Sequence, residues 1–144
     1  MTPHQHELAA QLACMEAIKS GCTTMSEFFY TNQDSELAHS CIEGMVSTGI
    51  RSVFIRTFQD TGEEYGMPKC FLEPVGKAMK EVDALKKAYK ENDMLSIWTG
   101  PDVTWSTTKE GYQEMLEYCL NENVRYSMHI KETEVDNEMC GRYY

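Results

Sequence analysis

No run of about 20 apolar residues occurs in the 144-residue sequence, and its start, Met-Thr-Pro-His-Gln-His, lacks a basic segment followed by an apolar one. These absences argue against a membrane span and an export signal, so the expectation is a soluble, cytoplasmic protein. Basic residues are scarce as well. Thirteen Lys and Arg stand against 23 Asp and Glu, giving a net charge of -10 and a pI near 4.8. That balance argues against nucleic acid or an anionic membrane as a partner. Cys-x-x-Cys spacing is missing too; Cys14, Cys22, Cys41, Cys70, Cys119 and Cys140 read as reduced core residues. Neither Gly-x-Gly-x-x-Gly nor Gly-x-x-x-x-Gly-Lys-Ser/Thr appears, which weakens nucleotide-binding readings. Without internal repeats, low-complexity segments or linkers, residues 1–144 fit a single domain large enough to bury a core.

What is present is an alternation of helical and strand patterns. Thr2-Pro3 starts a helix with Leu8, Leu12, Met15 and Ile18 at helical spacing, and Ser20-Gly21 stops it. A strand is expected over Cys22 to Tyr30, then a loop and cap at Asn32-Gln33-Asp34-Ser35. Leu37, Cys41, Ile42 and Met45 mark the next helix, and Ile50 to Thr57 the second strand. After a polar excursion from Phe58 to Pro68, the pattern from Cys70 to Tyr89 is helical, interrupted by Pro74 and Gly76. Met94 to Trp98 reads as a third strand broken by Gly100-Pro101, and Thr107 or Thr108 caps a helix through Tyr112, Met115, Leu116 and Cys119. A fourth strand follows over Val124 to Thr133, and a last helix begins near Thr133. Repeated units of this kind give an α/β fold, a parallel sheet with outer helices. Periodicity leaves open whether the sheet is doubly wound or an arc of a barrel.

The fourth strand carries the most informative chemistry. Val124, Tyr126, Met128 and Ile130 alternate with Arg125, Ser127 and His129, placing His129 on the polar face, three residues before Glu132, where α/β enzymes keep their reactive groups. A hydrogen-bonded structural histidine is the plainer reading. Arg56 and Asp102 fall at strand ends on the same expected edge and suit a ligand site, or else a salt bridge to one another. Trp98 and Trp105 suit the walls of a site for a flat ring, or plain packing. His4-x-His6 has metal-arm spacing, but on a helix the two lie about 200° apart, so both are expected to be solvated, as is His39. Lys77, Lys80, Glu81, Lys86, Lys87, Lys90 and Glu91 are expected on a solvated helix face.

Three stretches taken together resemble the metal-dependent amidohydrolase superfamily: residues 2–24 ending Ser-Gly-Cys-Thr-Thr, Trp98-Thr-Gly-Pro-Asp102, and His129-Ile-Lys-Glu-Thr133. The branch they resemble holds aminohydrolases and chlorohydrolases acting on nucleobases, triazines and S-adenosylhomocysteine. The resemblance implies a (β/α)8 TIM barrel, of which this chain supplies the first helix through the fifth strand. It implies that His129 is a ligand of a divalent metal, zinc or iron, that Glu132 shuttles a proton, and that Arg56 and Asp102 face a small heterocyclic substrate. The family's first-strand His-x-His and later His and Asp ligands fall outside the sequence. A catalytic zinc needs three protein ligands, so the chain alone is expected to be inactive. An incomplete barrel exposes sheet edges, and a homo-oligomer is expected. The alternative is a non-catalytic α/β remnant or interaction domain.

Overall fold

A computed structural model describes residues 1–32 and 34–143; Gln33, within the expected loop, and Tyr144 lie outside the described residues. The helices are α1 (Pro3–Lys19), α2 (Ser35–Ser47), α3 (Val75–Ala88), α4 (Lys109–Asn121) and α5 (Glu134–Tyr143). The strands are β1 (Thr24–Phe29), β2 (Arg51–Phe58) and β3 (Leu95–Pro101), parallel and in the order β1-β2-β3. Among the described residues no helix is long and apolar enough to cross a membrane.

Local chemistry explains most boundaries. Thr2 closes a reciprocal cap, its hydroxyl accepting from the Gln5 N–H while the Gln5 side chain accepts from the Thr2 N–H at 2.8 Å. Asp34 caps α2 through the Glu36 N–H at 3.0 Å, and Thr108 caps α4 through the Gly111 N–H at 3.0 Å. The helix expected from about Cys70 begins only after Pro74, at Val75, and runs through Gly76 without a break.

Register decides which side chains share a side. Phe29 pairs with Arg56 and Arg56 with Thr99, whereas Phe28 pairs with Ile55 and Ile55 with Trp98. The Phe29 side faces the helices. Phe29 and Phe54 join Ala38, Cys41, Ile42 and Met45 of α2 and Leu85 of α3, and Phe58 joins Val75, Ala78 and Val82 of α3 with Met115 and Cys119 of α4. Each fully buried Phe there contributes roughly 1.5–3 kcal/mol. The row Phe28, Ile55 and Trp98 lies on the opposite, inner side.

Four expectations are corrected. Leu8, Leu12, Met15 and Ile18 of α1 are exposed, and the helix instead buries His6 and Cys14. A helix has several possible faces, and contact with α2 chose the one bearing small residues: a Cβ on Gly44 would sit 2.4 Å from the Glu7 carbonyl oxygen. Secondly, β3 runs through Gly100 and Pro101 rather than stopping before them. Thirdly, residues 124–133 form no strand; they touch β3's end at two isolated parallel bridges, Thr99 with Tyr126 and Val103 with His129. Four steps along one chain match three along the other, a bulge-like slip that interrupts a ladder. Of the expected apolar face only Val124 is buried, while Tyr126 and Ile130 are exposed. Fourthly, only Cys14, Cys41 and Cys119 are buried; Cys22 and Cys70 are exposed, and all six thiols are free.

Candidate active site at the strand ends

The carboxyl ends of β2 and β3 and the segment beyond α4 converge on Asp102 and His129. Asp102 follows β3 directly, its N–H donating to the Phe58 carbonyl at 3.3 Å. Both the backbone N–H and ring Nδ1 of His129 reach the Asp102 carbonyl, at 3.3 and 2.9 Å. A carbonyl oxygen only accepts, so Nδ1 carries the proton and, in the neutral ring, Nε2 keeps the lone pair. The ring rests against Phe28 with centroids 4.3 Å apart, and Nδ1 is 3.8 Å from Asp102 Oδ1.

Glycine makes this approach possible. A Cβ at Gly100 would lie 1.8 Å from the Ser127 carbonyl oxygen, so only the absence of a side chain lets the 124–130 segment lie against β3. Two backbone bonds hold it there, Thr99 N–H to the Arg125 carbonyl at 3.1 Å and Ser127 N–H to the Thr99 carbonyl at 3.0 Å.

Buried Gln59 donates from Nε2 to Asp102 Oδ2 at 3.2 Å. Burial pushes the Asp102 carboxyl above its ordinary range, the Gln59 hydrogen bond and nearby His129 oppose that, and the charge of Glu132 adds to it. Glu132 is thus an exposed carboxylate within electrostatic reach of Asp102. Trp98 is half-buried on the inner side with the Arg125 guanidinium 5.6 Å from its ring centroid. Trp105 stands elsewhere on the rim, packed edge-on against Tyr65 and donating to Asp136 Oδ1 at 3.3 Å.

Arg56 departs from both sequence readings, substrate contact and pairing with Asp102. It is fully buried on the helix side, where Glu73 and Glu81 bind its guanidinium and Nη1 donates to the Thr57 carbonyl at 2.6 Å. Strand parity groups Ser52, Phe54 and Arg56 correctly and leaves open which face meets the helices; register turns Arg56 away from Trp98 and Asp102. Glu81 accordingly leaves the expected solvated face. His6 is buried rather than solvated, its ring nitrogens 3.2 Å from the Thr2 carbonyl and 3.1 Å from Thr31 Oγ1. His39 is half-buried with Nδ1 2.9 Å from the Tyr89 hydroxyl, and His4 is exposed.

Sequence reasoning passed over Gln59 and Phe28. Gln59 continues the parity of Ile55 and Thr57 beyond the end of β2. As a metal site, the donor chemistry of His129 fits one ligand. Among the described residues no group of three or more His, Cys, Asp or Glu converges, fewer than a catalytic zinc requires.

Comparison with known proteins adds to this picture. The model of the amidohydrolase family matches residues 1–143. A 5-methylthioadenosine/S-adenosylhomocysteine deaminase of Bacillus cytotoxicus is 27% identical over 144 residues, which is 99% of this chain and 31% of that protein. Among solved structures, a triazine hydrolase variant superposes with a TM-score of 0.82 at 23% identity, over 96% of this chain and 32% of the other. The guanine-bound guanine deaminase of C. acetobutylicum gives a TM-score of 0.78 at 12% identity, over 98% and 33%. These structural likenesses show the fold, and the parallel sheet with its outer helices is part of a TIM barrel.

Proposed function

The chain belongs to the amidohydrolase family, and from that premise we propose that it is the central part of a metal-dependent hydrolase removing an amino or halide group from a nitrogen heterocycle. It spans about a third of the deaminase and triazine hydrolase it matches, 31% and 32% of their lengths. The observation that carries the reading is the His129 tautomer: Nδ1–H held by the Asp102 carbonyl leaves Nε2 free to bind a cation, on the rim that Glu132 shares. A bound zinc or iron supplies an acidified water and polarises the reacting carbon's surroundings. His129 contributes one ligand nitrogen. Glu132, exposed and close to Asp102, takes a proton from water and returns it to the ring nitrogen or leaving group. Asp102 and Trp98 hold the heterocycle, by hydrogen bonding and by ring contact. The remaining ligands come from outside this chain, so the chain alone is inactive. It forms one domain and works in the cytoplasm; taken alone, it self-associates through unpaired sheet edges such as the outer edge of β1, which pairs with no other strand among the described residues.

Metal analysis tests the reading. A longer protein containing this chain is expected to bind about one zinc or iron per chain and to lose it on His129→Ala. Glu132→Gln is expected to retain the metal and lose turnover about a hundredfold or more. Metal retained by His129→Ala overturns the ligand role and favours a purely structural imidazole, and undiminished turnover removes Glu132 from the mechanism.

A further inference from the structure

Beside Asp102 on the inner rim is a buried polar side chain for which the proposed chemistry has no use, Gln59. Gln59 lies just beyond β2, nearly inaccessible, and its backbone is clamped by the neighbouring loop: its carbonyl accepts from the Glu73 N–H at 2.9 Å, and it bridges Leu72 in parallel register. A buried amide side chain is costly unless paired. Its Nε2 pairs with Asp102 Oδ2 at 3.2 Å. That contact fixes two things at once. Because Nε2 can only donate, Oδ2 must accept, and because Gln59 is held by its own backbone, the Asp102 carboxyl plane is held with it. The other oxygen, Oδ1, stays on the His129 side of the rim, 3.8 Å from Nδ1, whose proton is already directed to the Asp102 carbonyl at 2.9 Å. Oδ1 is therefore a fixed acceptor beside the imidazole, on the same inner side as the aromatic rings of Phe28 and Trp98.

We propose that Gln59 is a positioning residue that orients the Asp102 carboxyl, and that the pair selects heterocycles presenting an N–H donor, such as an amino group on the ring edge, to Oδ1. This deepens the hydrolase reading and rests on it for the identity of the occupant. A ring with only acceptors on that edge would set its lone pairs against the carboxylate oxygen, and a dialkylated amine would offer it no hydrogen. His129 and Glu132 would handle either ring alike. The Gln59 and Asp102 pair is what tells them apart.

The test compares two probes of equal ring chemistry, 2-aminopyrimidine and 2-(dimethylamino)pyrimidine, titrated against this chain by NMR, following the Gln59 side-chain amide and the His129 ring resonances. The amino probe is expected to bind about tenfold more tightly, the scale of one hydrogen bond to a charged acceptor. Gln59→Met and Gln59→Leu, two replacements of similar bulk, are expected to reduce that preference to about threefold or less while leaving binding of the dimethylamino probe unchanged. A simple loss of packing would weaken both probes together. Equal affinities in the wild-type chain, or a preference that survives both replacements in folded protein, overturn the proposal. The hydrolase reading stands or falls separately, on metal binding and turnover, so a selective chain whose longer form holds no metal would lose that reading and keep this one.

Discussion

Replacing Arg56 by Met tests how the carboxyl end of β2 is held to the approach and middle of α3. The guanidinium has no exposed surface, and the side chains of Glu73 and Glu81 are 6% and 14% exposed. Its Nε donates to Glu81 Oε2 at 2.9 Å and its Nη2 to Glu73 Oε2 at 3.1 Å, so one cation serves two carboxylates taken out of water. Met keeps most of the stem's packing and removes the charge. Two buried anions then lack their counterion, a situation that costs roughly 3–5 kcal/mol. Lys77, 3.4 Å from Glu73 Oε2 but largely exposed, offers Glu73 a weak substitute and places the expected loss at about 3 kcal/mol. In the triple variant Arg56→Met, Glu73→Gln, Glu81→Gln no ion is left unpaired, and the loss should shrink to roughly 1–2 kcal/mol because the amides find partial partners. Urea denaturation at pH 7, followed by far-ultraviolet circular dichroism, measures both. A loss below about 1 kcal/mol for Arg56→Met, or a triple variant less stable than the single one, would refute the reasoning and return Arg56 to the list of groups available to a ligand.

Gly100→Ala should push the 124–130 segment away from β3. Losing the two Thr99 hydrogen bonds costs about 2–3 kcal/mol, and amide exchange at Ser127 should quicken about tenfold or more, while unchanged exchange would contradict the steric argument. Burial pushes the Cys41 thiol up to about 12, with the charge of Glu27 adding to the effect. Its folded pKa thus exceeds the ordinary value of 9.0, so the stability it contributes is complete below that value and declines as pH rises toward about 12. Alkylation with iodoacetamide near pH 8, read by mass spectrometry, should label Cys22 and Cys70 and spare Cys41; early labelling of Cys41 in folded protein would show that the site opens.

Which elements exist was legible from the chain because short-range chemistry sets them. Thr2-Pro3, Asp34 and Thr108 each act on atoms a few residues away, and the structure places helix starts where they stand. What a side chain faces depended on distant partners. The parity of Ser52, Phe54 and Arg56 was readable, but only register with β1 and β3 assigns that row to the helices. The α1 stripe misled for the same reason: Leu8 and Leu12 have the right spacing for a core, yet close contact at Gly44 brought the small residues inward. The proximity of His129 and Asp102 was foreseeable, since both follow strand-like segments on one rim. Gln59 gave little signal, because a lone amide past a strand end looks like any loop residue until its partner is in place.

The attachment of the imidazole to the sheet runs through main-chain atoms at Thr99, Arg125, Ser127 and Asp102. Such atoms survive nearly any replacement of the side chains that carry them, so identities at 125, 126, 128 and 130 are open to drift without unseating His129. Residue 100 is the exception, since there the hydrogen of a glycine sets the clearance. The side chains along this rim can therefore change at little cost to its shape, provided that one position is never enlarged.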